Sequence, residues 1–127
     1  KRQIRMDDYP KRVKKELREL ASLAHENELR RELMQLAEKF EEWKEHKIST
    51  WELDHMIHEY HQGPARDLYN RYDDAPVGML VAYAVVHRIL KEEDVPEEVS
   101  PYIQNALQFY RADLGEEAYR GDDVQVS

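Results

Sequence analysis

VGMLVAYAVVHRILKEE, residues 77–93, contains the most apolar run in the chain. Its apolar residues fall on nearly all sides of a helix rather than on one stripe, and a helix of that kind is buried all round. The run predicts a central helix over about 76–92, against which the rest of the chain packs. The stretch from Val77 to Val86 is about half a membrane span and is followed by His87 and Arg88, so it does not predict a spanning helix.

On the carboxyl side, "DVPEEVSP" reads as a loop. Ser100 and Pro101 open a last helix over 100–114, with Ile103, Ala106, Leu107, Tyr110 and Leu114 as its apolar face and Gly115 as its stop. Residues 116–127 read as a poorly ordered tail. On the amino side, "DDAP" separates the central helix from a short helix over 64–72, which Pro64 begins. Before it lies a helix over 50–62. Ser49 and Glu52 form a capping box there, Ile48 and Leu53 stand at the staple positions, and Gly63 supplies the stop.

The first third carries two apolar stripes. Val13, Leu17, Leu20 and Ala24 make one, and Leu29, Leu33, Leu36, Phe40 and Trp43 the other. They are out of phase by about two residues, so one straight helix cannot aim both at the same core. The pattern predicts a break in "HENE", capped by Asn27, and two antiparallel helices over 9–25 and 28–46. The alternative is one long helix. No stretch reads as a strand. The expected architecture is therefore all-α: a single-domain bundle of five to six helices over residues 1–115, with 76–92 at its centre.

A chain of 127 residues can bury a core without disulfides or metal, and it has no cysteine. Thiolate zinc sites and cysteine nucleophiles are excluded. No signal peptide pattern is visible, and an intracellular, cytoplasmic protein is expected. The net charge of -8 argues against generic binding to phosphate backbones. The charge is uneven: residues 1–18 carry eight Lys or Arg against Asp7, Asp8 and Glu16, a local balance of +5 that leaves -13 on the remainder. Lys11, Lys14, Lys15 and Arg18 form a basic stripe on the first helix, opposite Val13, Leu17 and Leu20. It offers a route to nucleic acid, but without the aromatic interleaving that single-strand binders use.

The segment after Ile48 is dense in titratable groups. At 100° per residue, Asp54, His58 and His61 share one flank beside a core face of Leu53, Met56, Ile57 and Tyr60, while His55 turns away with Glu52 and Glu59. Two imidazoles and a carboxylate can supply metal ligands, with His87 as a fourth from the central helix. Against this, Asp54 and His61 stand about 10 Å apart along the axis. A hydrogen-bonded flank needs no metal, and "HEYH" lacks the spacing of the zinc-protease motif. Arg66, Tyr69, Arg71 and Tyr72 have the composition of an interaction surface. The leading expectation is a non-catalytic interaction or regulatory module with no cofactor, pairing with a protein partner, chiefly itself, as a dimer or higher oligomer. The alternatives are a metal-binding or hydrolytic protein using Asp54, His58, His61 and His87, and nucleic-acid binding through the basic first helix.

Overall fold

The computed structural model describes residues 9–125, with side chains through residue 114. The fold is all-helical, with no strand among the described residues. In order come α1 (Lys11–Lys44), α2 (Thr50–Gln62), α3 (Pro64–Asp74), α4 (Val77–Val86), a 3-10 turn (Glu92–Asp94) and α5 (Ser100–Gln125). None of these helices is long and apolar enough to cross a membrane. The chain divides into two compact units: one from the chain up to Ala24 and from Pro76 onward, the other His25–Ala75.

The predicted break at Asn27 is absent; α1 runs unbroken for 34 residues. Nothing in "HENE" forces the chain out of a helix, because α1 contains neither glycine nor proline. Good helix formers and pairs such as Arg12–Glu16 at 3.2 Å and Lys39–Glu42 at 3.2 Å favour continuation. The two stripes differ in phase because they serve different units. Val13, Leu17, Leu20, Ala21 and Ala24 are buried in the first, and the stripe from Leu29 to Trp43 lies in the second.

The first unit holds most of the core. α4 buries Leu80, Val81, Ala82, Ala84, Val85 and Val86, and α5, packed against it, buries Ile103 and Leu107. Tyr83 of α4 meets Tyr110 of α5 edge to face, with ring centroids 5.5 Å apart. Tyr9 is tied to the start of α5, its hydroxyl donating to the Tyr102 carbonyl at 3.2 Å.

The central helix is shorter than predicted, ending at Val86 rather than near residue 92. The cause is Arg88, whose φ is 60°. The Arg88 amide donates to the Val85 carbonyl at 3.2 Å and the Ile89 amide to Ala84 at 2.7 Å, a Schellman ending with arginine where glycine is usual. The chain turns back there, so Ile89 and Leu90 are still buried although they lie beyond the helix. α1 ends in the same way: His46 has φ 62°, its amide donates to Trp43, and the Lys47 amide donates to Glu42 at 2.8 Å.

α5 does not stop at Gly115 but continues to Gln125. A glycine inside a helix costs about 1 kcal/mol, which the surrounding helix formers tolerate. The expected poorly ordered tail over 116–127 thus has a helical backbone to Gln125. Its side chains, and Val126 and Ser127, lie outside the described residues.

In the second unit the capping box of α2 is present. The Ser49 hydroxyl accepts from the Glu52 amide at 3.0 Å, and the Ser49 amide donates to the Glu52 carboxylate at 3.0 Å. Trp43 donates to the Thr50 hydroxyl at 3.1 Å across the connection. α2 closes at Gly63, where a Cβ would come within 3.0 Å of the Glu59 carbonyl oxygen. Pro64 then begins α3, which packs against α2.

Candidate interaction surface

Leu53 and Leu68 are the only buried hydrophobic residues in the second unit. Leu33, Met34, Phe40, Trp51, Ile57 and Tyr69 of the same unit are exposed, Trp51 by 84% and Tyr69 by 64%. Single exposed hydrophobic side chains are ordinary, whereas neighbouring ones on a helix face form a patch. On α1 the reason for the exposure can be read from the wheel. Glu28, Glu32, Leu36, Lys39 and Trp43 are half-buried and share one arc. Leu33, Ala37 and Phe40, at i, i+4 and i+7, form the next strip round and are exposed. The apolar stripe is thus only partly covered within its own unit, and the covered arc is half polar.

That polar arc is fixed by a cluster the sequence reading missed. The Glu28 carboxylate accepts from the Tyr72 hydroxyl at 2.6 Å and from Arg71 at 3.1 Å on each oxygen. His25 stacks on the Tyr72 ring, with centroids 4.5 Å apart and planes within 5°. Arg71 and Tyr72 therefore anchor α3 to α1, whereas Arg66 and Tyr69, named with them from composition, face outward. Tyr60 of α2 has its pKa raised by burial and then by the nearby Glu32, which keeps the phenol neutral.

Asp54, His58 and His61 are all exposed on α2. His55 is exposed too and faces Glu59 at 3.2 Å. Among the described residues no three His, Asp or Glu side chains gather so as to hold a metal ion. The α2 flank therefore forms no such three-residue group of its own. His87 lies in the first unit, half-buried, its ring 4.1 Å from that of Tyr83.

Of the basic stripe, Lys11, Lys15 and Arg18 are exposed and Lys14 is half-buried. Lys15 has Glu19 at 4.0 Å. Beside the stripe, Arg12 serves two carboxylates, Glu16 and Glu98, each at 3.2 Å. The Glu98 pKa is raised, first by hydrogen bonding with Glu16 and then by loss of water, against the opposing pull of Arg12. The second Glu16 oxygen is buried and meets no donor. A proton on Glu98 supplies a donor to this carboxylate pair. Because the folded pKa is raised, the stabilisation is present at low pH and lost as pH rises through that pKa. The contribution of this pair to the stability of the first unit is expected to grow on acidification from neutral toward the carboxyl range. Measured as melting temperature against pH, Glu98→Gln, which carries a donor at every pH, should lack that growth; an unchanged slope in the variant would show that other groups control it.

The chain matches no protein-family model, no curated protein and no solved structure.

Proposed function

We propose that this chain is a non-catalytic, cytoplasmic interaction module, a helical bundle that self-associates through its second unit. The observation that carries this reading is the imbalance within His25–Ala75: two buried hydrophobic residues against six large exposed ones. Exposed apolar side chains that adjoin on one helix face, as Leu33 and Phe40 do on α1, favour association, because burying them removes surface from water at about 25 cal/mol per Å². The strip of Leu33, Ala37 and Phe40 on α1 is the contact, with a second copy of the chain supplying the same strip. Trp51 and Tyr69 carry large rings of the type that anchors interfaces.

Light scattering across a broad dilution series is expected to give the mass of a dimer or higher oligomer. Leu33→Glu combined with Phe40→Glu should return it to monomer while far-ultraviolet dichroism keeps its helical signal. Two carboxylates in an apolar contact cost several kcal/mol, enough to weaken association by at least about 100-fold. A monomer mass for the parent chain at every concentration would remove the proposal.

A further inference from the structure

Charged side chains continue the exposed strip of α1 at both ends. Glu26 and Arg30 precede Leu33, and Glu41 and Lys44 follow Phe40, all of them exposed. At 100° per residue, Glu26, Arg30, Leu33, Ala37, Glu41 and Lys44 fall within about 40° of one line along the helix. Phe40 and Met34, both exposed, stand at its two margins. Read from its start, the face is acid, base, apolar centre, acid, base.

Two copies can meet on this face in parallel or antiparallel, and charge decides between them. In a parallel pair each residue faces its own counterpart. Glu26 then meets Glu26, Arg30 meets Arg30 and Lys44 meets Lys44, and like charges facing across a contact are unfavourable. An antiparallel pair with its twofold axis between Leu33 and Ala37 reverses this. Leu33 of each copy lies level with Ala37 of the other, and the two Met34 side chains adjoin near the axis. Glu26 is then level with Lys44 of the second copy, and Arg30 with Glu41. Lys44 and Glu41 already pair within α1 at 3.3 Å, but their side chains are 62% and 65% exposed, so each has room for a second partner. The apolar centre is thereby flanked at both ends by a network of alternating sign. Exposed pairs of this kind add little affinity; their effect is to penalise the other orientation.

We infer that two copies of the chain pair antiparallel along α1, with Glu26 against Lys44 and Arg30 against Glu41 at each end of the Leu33–Phe40 contact. This rests on the self-association proposed above. The chain has no cysteine, so Glu45→Cys can carry a single spin label. Double electron–electron resonance then reads the distance between the labels of two copies. In the antiparallel register residue 45 is level with residue 25 of the second copy, which sets the labels about 30 Å apart along the axis. A parallel pair sets them side by side, about 10 Å apart plus the length of the label linkers.

Light scattering over a dilution series reads the affinity of charge variants. Glu26→Lys and Lys44→Glu should each weaken the dimer about fivefold, because each sets like charges against one another at both ends of the contact. Both together restore opposite charges and should bring the affinity back to within about twofold of the parent. In a parallel pair each single substitution leaves like facing like, so neither the loss nor the rescue would occur. A monomer mass for the parent chain at every concentration would remove self-association itself. A dimer with its labels side by side, or one indifferent to both single substitutions, would leave self-association standing and overturn this pairing.

Discussion

Leu17→Ala is expected to destabilise the first unit by about 3 kcal/mol, within the range of buried leucine truncations. Leu17 is 0% exposed, on the buried stripe of α1 with Val13, Leu20, Ala21 and Ala24. Its side chain has no route to solvent, so truncation leaves a cavity as well as losing transfer free energy. The small residues Ala21 and Ala24 beside it, and Ala82 and Ala84 in the same core, offer few atoms that can move in to fill the space. The control is Leu33→Ala in the isolated chain at low concentration. That leucine is 46% exposed, and its loss should stay within about 0.5 kcal/mol. Denaturant unfolding reads both, and hydrogen exchange of the α4 and α5 amides locates the loss at Leu17 in the first unit. A cost below about 1 kcal/mol at Leu17 would mean that the first unit is not held by the core described above.

Glu28→Ala should cost the second unit about 2 kcal/mol, nearly as large a share of what holds it. With Leu53 and Leu68 its only buried hydrophobic residues, this unit depends on polar contacts more than the first does. The substitution removes the acceptor for both Tyr72 and Arg71. The cost does not reach the 3–5 kcal/mol of a broken buried pair, because the Arg71 side chain is 35% exposed and can be hydrated. Glu28→Gln keeps an acceptor oxygen for the Tyr72 hydroxyl and should lose less. Faster hydrogen exchange in α2 and α3, with α4 and α5 unaffected, is the expected signature. An equal loss of protection in α4 would instead indicate that the two units open together.

What could be read in the chain before its structure was mostly local. The capping box of α2 needs only Ser49 and Glu52, three residues apart, and it is present as expected. The central apolar stretch needs only its composition, and α4 buries most of its side chains. Its end could not be read, because Arg88 carries no sign of the left-handed turn that a glycine would have announced. The phase shift between the α1 stripes was read correctly but given the wrong cause. Two directions of burial imply two packing environments, and a break in the helix is only one way to provide them. The Glu28 cluster was invisible for another reason. Its partners stand 43 and 44 residues away, and Glu28 itself lies in the segment whose pattern predicts a break capped by Asn27. Conversely, the α2 histidines drew attention by their density, yet density along a helix axis does not bring side chains to a common point.

The unbroken α1 also bears on how the protein reaches its folded state. Starting a helix is the unfavourable step, with a nucleation constant of about 10⁻³, whereas adding residues to an existing helix is close to neutral. The first unit fixes α1 through Ala24 by burying one side of it. For residues 25–44 the helical conformation therefore needs only propagation from a stretch already wound. A unit with so small a core gains from this, since the conformational cost of its longest helix is met in part before any of its own contacts form. Folding that begins where α1 meets the dense core would then extend the helix outward toward Lys44 by propagation alone.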